Sequence, residues 1–169
     1  QSWGIACELR DSDPRVRVVR LSHNHGQQHA TLCGLGYAKN SYVITIDDDL
    51  QCYPEDISHF LHMLKLGKHV VIGRIEHKEK QHAWWRNLGS RLNQYLAGKI
   101  IGKPDRFALS SYRGMTRQIA ARLTAYKGAH PHIAALLFKS APADCIANVD
   151  IRHAARGDGR PSSYSLAKL

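Results

Sequence analysis

The chain has 169 residues, 43% of them hydrophobic and 22% charged, which suits one globular domain with a real core and excludes wholesale disorder. Its formal net charge is +10, so anionic partners are expected: nucleic acid, acidic lipid headgroups or phosphorylated small molecules. No run reaches the roughly 20 apolar residues of a membrane span, no basic-then-apolar leader opens the chain, and Cys7, Cys33, Cys52 and Cys145 form no C-x-x-C pair, a pattern expected of a reducing cytoplasm.

In chain order, Val16 to Leu21 reads as a strand and Gln27 to Lys39 as a helix of small residues closed by Asn40. Tyr42 to Ile46 is a β-branched strand ended by acids, and Pro54 to Leu66 a helix with Ile57, Phe60, Leu61 and Leu64 on one face and Gly67 as its stop. His69 to Gly73 forms a further strand. Beyond it the pattern predicts a helix over 83–96, an extended stretch over 106–112 and helices over 116–126 and 133–138. A late strand over 145–151 and a Gly, Arg, Pro and Ser loop over 154–163 complete the chain. Strands alternating with helices imply βαβ units, a mostly parallel sheet flanked by helices, and a single α/β domain over residues 1–169.

Asp47, Asp48 and Asp49 follow the strand that ends at Ile46. Ligands of parallel sheets bind beyond the carboxyl ends of the strands, so these acids stand where chemistry is expected. Three adjacent carboxylates repel one another unless a positive partner neutralises them. A hard divalent cation, Mg²⁺ or Mn²⁺, held by oxygen ligands and substrate phosphates, answers that need. In an extended D-x-D, Asp47 and Asp49 point one way and Asp48 the other, and Gln51 continues the first face. Helix capping accounts for Glu55 and Asp56, but not for an acid triplet at the end of a buried strand.

A second constellation is arginine: Arg74 at the end of a strand, then Arg86, Arg91, Arg113, Arg117 and Arg156. Their forked guanidinium groups suit phosphate oxygens near such a metal. His23, His25 and His29, and His130 with His132, lack a cysteine or carboxylate at ligand spacing, which argues against zinc. Trp84 and Trp85 fit a membrane interface, a stacked sugar or a helix anchored in the core equally well.

Several ordered blocks resemble glycosyltransferase family 2. They are Leu21-Ser22-His23-Asn24-His25-Gly26-Gln27-Gln28, then Ile44-Thr45-Ile46-Asp47-Asp48-Asp49-Leu50-Gln51 with Pro54-Glu55, and Val70-Val71-Ile72-Gly73-Arg74. Trp85 to Arg91, Leu109-Ser110-Ser111-Tyr112-Arg113 and His153 to Gly159 with Ser163-Tyr164 extend the match over essentially the whole chain. The branch it resembles is the polyprenyl-phosphate sugar transferases, relatives of dolichyl-phosphate mannose synthase. That resemblance implies a GT-A fold, a divalent ion, and inverting transfer of a sugar from a nucleotide diphosphate to a polyprenyl phosphate. It places the reaction at the cytoplasmic face of the inner membrane, and leaves oligomerisation open.

The resemblance also implies site residues. Asp47, Asp49 and Gln51 would hold the metal; Asp47, Asp49 and Arg74 would carry catalysis. Asn24, Gly26, Gln27, Asp47 and Asp48 would face the donor. Arg74, Arg86, Ser90, Arg113, Arg117, Arg156 and Ser163 would bind acceptor or phosphate, with Asp105 an additional acid to watch. A phosphate acceptor is already anionic, so no side-chain base is required. The family's opening Val/Ile-rich strand and its Asp-Asp-Gly-Ser nucleotide-base segment are not seen here, where Gln1 begins at what reads as the following helix. His23 and His25 replace a more usual arginine and aromatic residue. The alternatives are a family 2 enzyme acting on a polysaccharide or glycolipid hydroxyl, which needs a carboxylate base, and a degenerate, non-catalytic scaffold, against which the intact acids stand. A basic nucleic-acid-binding module is disfavoured by dispersed charge and by the acid triplet.

Overall fold

A computed structural model describes residues 2–75 and 106–154. The described chain runs α1 (Ser2–Ser12), α2 (Gln27–Tyr37), β1 (Tyr42–Thr45), a 3-10 turn (Pro54–Asp56) continuing into α3 (Ile57–Lys65), and β2 (Val70–Ile75). After residue 105 come β3 (Arg113–Thr116), α4 (Arg117–Thr124), α5 (Ile133–Ser140), a second 3-10 turn (Ala143–Cys145) and β4 (Ile146–Ile151).

The strands form one sheet in the order β1-β3-β2-β4. β3 runs antiparallel to both neighbours, and β2 pairs in parallel with β4 from Val70↔Ile146 to Ile75↔Ile151. β1, β2 and β4 therefore share one direction and β3 alone opposes them, so the expected mostly parallel sheet is present with one reversed strand at its centre.

Period-two alternation divides the core between the two faces of this sheet. Val70, Ile72 and Met115 join Ile119 and Leu123 of α4 and Ile133 and Leu137 of α5 on one side. Val71 faces the other side, where Phe60 and Leu64 of α3 meet Tyr112 and Ile151. The helix α3 buries the face that its spacing of Phe60 and Leu64 predicts. It lies close on the sheet because β2 and β3 carry glycines under it. A Cβ at Gly73 would meet Ile151 Cδ1 at 2.8 Å and Phe60 Cζ at 3.2 Å, and one at Gly114 would meet Ile44 Cδ1 at 3.0 Å.

Two expectations are corrected. Val16–Leu21 is not a strand: among the described residues it pairs with none, although Arg17 and Val19 line one cleft with Val43 and Thr45 of the edge strand β1. A β-rich sequence makes a strand only when a second backbone completes its ladder. The third pairing segment is Arg113–Thr116, just after the extended stretch expected over 106–112, since it is the Thr45↔Arg113 and Ile72↔Arg113 pairings that begin the ladder. The helix expected over 83–96 lies outside the described residues.

Candidate active site

The shared strand direction gathers one edge of the sheet into a site. Asp47 leaves the carboxyl end of β1, Arg74 stands near the end of β2, and Arg152 follows β4. The reversed β3 starts at the same edge, so Ser111, Tyr112 and Arg113 enter it from the opposite direction.

Asp47 is anchored through both of its carboxylate oxygens. Its Oδ1 accepts a hydrogen bond from Gln27 Nε2 at 2.8 Å, and its Oδ2 accepts from the Ser111 hydroxyl. Thr45 Oγ1 donates to the Ser111 carbonyl at 2.7 Å, a second tie between β1 and the entry to β3. Asp47 is half-buried, whereas Asp48 and Asp49 are exposed. Leu50 closes the turn in the left-handed region (φ 59°) and is 89% exposed, and Gln51 N donates to Asp49 Oδ1 at 3.2 Å. A left-handed leucine is uncommon and marks a backbone held by its surroundings.

The acidic turn is stapled to the end of β4. Gln51 Nε2 donates to the Ala154 carbonyl at 3.2 Å and Ala154 N to the Gln51 carbonyl at 2.9 Å, beside a Cys52–His153 bridge. Behind it, Asp56 is the one buried charged residue among the described residues. It receives Arg152 N at 2.9 Å, Nε at 3.0 Å and Nη2 at 2.8 Å, and the same guanidinium lies 4.7 Å above the Tyr53 ring. This pairing was not legible in the sequence, where Asp56 reads as a helix-start acid. Only the approach of β4 supplies its partner.

Electrostatics records the crowding of acids. Burial first, then Asp47, Asp49 and Asp56, push the Cys52 thiol up. Burial and the acids Asp56 and Glu55 raise the Tyr112 phenol to about 12, and its hydroxyl donates to the Tyr53 carbonyl at 2.9 Å. Because that pKa lies above the unfolded value near 10, the protonated phenol stabilises the fold fully below about pH 10. That contribution is lost as pH rises towards 12. Denaturant midpoints measured from pH 9 to 12 should fall more steeply for the native chain than for Tyr112→Phe; parallel curves would refute the assignment. Arg113 is half-buried, and burial lowers its guanidinium to about 10 while Asp47 pulls the other way, so it remains a cation at neutral pH.

The other expected site residues divide clearly. Asn24 Oδ1 accepts from Gly26 N at 3.0 Å, and Gly26 (φ 81°) starts α2, a turn that brings Gln27 to Asp47. Arg74 shares the edge, but β3 separates β2 from β1, about 10 Å at two strand spacings. It is engaged by Asp150, with Nε to Oδ1 at 2.7 Å and Nη2 to Oδ2 at 3.1 Å. Arg117 is not at this edge. Thr116 pairs with Tyr42 at the opposite end of β1, and Arg117 reaches back to the Ser41 and Leu35 carbonyls. Its earlier placement with the phosphate-binding arginines is therefore corrected by the antiparallel register. Arg86, Ser90, Asp105, Arg156 and Ser163 lie outside the described residues. His23, His25 and His29 do come together, with ring centroids 5.9 and 6.0 Å apart.

Among the described residues no three His, Cys, Asp or Glu side chains converge as a complete metal cage. A Mg²⁺ or Mn²⁺ site commonly uses one or two carboxylates and takes its remaining oxygens from substrate phosphates and water. The half-buried Asp47 and the exposed Asp49 are hard oxygen donors of the type such a site uses.

Residues 1–124 match the family described as glycosyl transferase family 2. The chain belongs to that family. A curated relative of this family 2 chain is the undecaprenyl-phosphate 4-deoxy-4-formamido-L-arabinose transferase of Edwardsiella ictaluri, 33% identical over 159 residues that cover 92% of this chain and 46% of the relative. The Pseudomonas aeruginosa (strain LESB58) protein of the same name is 31% identical over 164 residues, covering 97% and 47%. The chain thus spans about half the length of these relatives. Among solved structures, glucosyl-3-phosphoglycerate synthase from Mycobacterium tuberculosis in complex with phosphoglyceric acid superposes with a TM-score of 0.56 at 21% identity, over 90% of this chain and 52% of that one. The same enzyme with Mn²⁺, UDP-glucose and phosphoglyceric acid gives 0.53 at 20% identity, over 87% and 51%. The likeness establishes the GT-A fold for the family 2 chain. None of its described helices is long and apolar enough to cross a membrane.

Proposed function

We propose that this family 2 chain belongs to the catalytic domain of a glycosyltransferase that moves a sugar, with inversion, from a nucleotide diphosphate to a polyprenyl phosphate at a membrane surface. The observation that carries the reading is the Asp47 carboxylate, fixed by Gln27 and Ser111 at the carboxyl edge of β1 with Asp49 on the same turn. Curated relatives over 92% and 97% of the chain are named as undecaprenyl-phosphate sugar transferases, which favours the lipid-phosphate acceptor.

Asp47, Asp49 and Gln51 are the residues that would hold Mg²⁺ or Mn²⁺. Such an ion supplies positive charge that offsets the charge developing on a leaving diphosphate. Gln27 touches Asp47 and, with Asn24, Gly26 and Asp48, would bound the donor. Arg74, which is paired with Asp150, and Arg113, which lies near Asp47, would supply cationic charge for the acceptor or phosphate. From the sequence alone, Arg86, Ser90, Arg156 and Ser163 join them. An acceptor phosphate brings its own negative charge to the sugar carbon, so this chain's residues need only align it and exclude competing water. The net charge of +10 suits both a phosphate acceptor and an anionic lipid surface.

The test is acceptor chemistry. A polyprenyl phosphate should be glycosylated, and the same polyprenol without phosphate should not. Charge-assisted hydrogen bonds contribute about 1.5–3 kcal/mol each, roughly ten- to hundredfold per arginine. Arg86→Ala and Arg156→Ala should therefore raise the KM for the lipid phosphate far more than the KM for the nucleotide sugar. Efficient use of the neutral alcohol would overturn the reading in favour of a hydroxyl acceptor.

A further inference from the structure

We infer that Ser111 is a positioning residue for the acidic turn: its hydroxyl, with the Gln27 amide opposite, locks the Asp47 carboxylate in one orientation before any ligand arrives. The inference rests on the reading of Asp47 and Asp49 as a divalent-cation site and adds to it a residue that does not itself touch the ion.

The geometry is specific. The two Asp47 oxygens are held separately, Oδ1 by Gln27 Nε2 at the start of α2 and Oδ2 by Ser111 Oγ at the entry to β3. A carboxylate has a broad, two-fold terminal torsion, so two donors on opposite oxygens remove the freedom that would blur its aim. Each oxygen keeps a further lone pair for a cation. Ser111 and Gln27 are 84 residues apart in sequence, the difference of their numbers, and meet only because β1 and β3 pair side by side.

The support under Ser111 is rigid. Its carbonyl accepts from Thr45 Oγ1 at 2.7 Å, and Tyr112 N donates to Ser110 Oγ at 3.1 Å. The Tyr112 ring is fully buried and stacks on Phe60 with centroids 4.5 Å apart, while the Tyr112 carbonyl accepts from Gly73 N at 2.9 Å. Arg113 Nε donates to the Ser110 carbonyl, which places a half-buried cation beside the same carboxylate. A hydroxyl donor mounted on a buried aromatic and three backbone ties is suited to orienting a ligand side chain rather than to binding substrate.

The experiment is a titration with Mn²⁺ in the presence of UDP, read as free Mn²⁺ by electron paramagnetic resonance, on the full 169-residue chain and four variants. Outer partners of metal ligands typically contribute about 10–100-fold to affinity. Ser111→Ala is expected to weaken Mn²⁺ binding by about tenfold, with Ser111→Thr, which keeps the hydroxyl, returning it to within about twofold of the native value. Asp47→Asn should weaken it at least as much, and Ser111→Ala added to Asp47→Asn should change nothing further, because the hydroxyl acts through that carboxylate. Native affinity in Ser111→Ala beside a weakened Asp47→Asn would overturn the positioning role alone. An additional loss in the double variant would do the same. Native affinity in Asp47→Asn, or no Mn²⁺ binding by the native chain, would sink the metal site and the inference with it.

Discussion

Asp49→Asn should reduce sugar transfer by on the order of a hundredfold or more, while leaving the denaturation midpoint close to native. The substitution removes charge and not bulk, and an Asn Oδ1 can still accept from Gln51 N, so the turn keeps that hydrogen bond. On the proposed reading, the site would lose one of the oxygen donors that a hard cation needs, together with its negative charge. The measurement is initial rate against Mn²⁺ concentration, paired with binding of the nucleotide sugar at limiting metal. The variant should need more metal and bind the donor more weakly. Unchanged activity at limiting metal would remove Asp49 from the site. A loss of transfer that simply tracked a loss of folded protein would place Asp49 in the scaffold instead.

Phe60→Ala should cost about 3–5 kcal/mol of stability, the usual range for emptying a buried aromatic position. A domain of this size has only about 5–15 kcal/mol in total, so the substitution would bring the chain close to unfolding at moderate temperature. The packing explains the size of the effect. Phe60 is fully buried, stacks on Tyr112, and fills the space left above Gly73 and Gly114. The glycines beneath it, Gly73 and Gly114, carry no side chain that could fill the gap. Phe60→Leu keeps most of the volume and should cost no more than about 1.5 kcal/mol. Urea unfolding of both variants tests this directly. A cost below about 1 kcal/mol for Phe60→Ala would mean that α3 is not seated on the sheet as described. Phe60 also backs Tyr112, and through it Ser111, so the residual folded population of Phe60→Ala should bind Mn²⁺ less tightly than native protein.

Both predictions join the same two levels. The acids are placed by local sequence, but the Asp47 carboxylate is held by Ser111, at the entry to a strand that arrives much later in the chain. The Asp56–Arg152 pair follows the same pattern, with a turn residue before α3 waiting for the residue after β4. Neither contact has a local signal. A search for charged residues with no neighbour in their own element would have raised Asp56 as a candidate, though it could not have named Arg152.

Local patterns were enough for the individual elements. Tyr42 to Ile46 is β-branched and stops at acids, and it forms β1. The spacing of Phe60 and Leu64 gives α3 its buried face. The run of Val70, Val71 and Ile72 is buried on both sides, as a central strand requires. The ordered blocks around Asp47, Asp49 and Gln51 were also sufficient to recognise family 2, because short motifs in fixed order carry information that no single motif does.

What the sequence could not decide was pairing. Val16 to Leu21 has the composition of a strand but pairs with none among the described residues, whereas Arg-Gly-Met-Thr, with poor strand propensity, forms the inner β3 because both of its neighbours hydrogen-bond to it. Gly114 sits in a tight space: a Cβ there would lie 3.0–3.2 Å from Ile44, Leu64 and Phe60, closer than ordinary contact. The reversed direction of β3 then decides which residues share the site. It brings Ser111 and Arg113 to Asp47 and carries Arg117 to the far end of β1. Sequence by itself determined the chemistry available, the acids and arginines and the strand ends they follow. The tertiary structure alone decided which of them meet, because hydrogen-bond register between distant segments is a property of paired backbones and is not written in either strand.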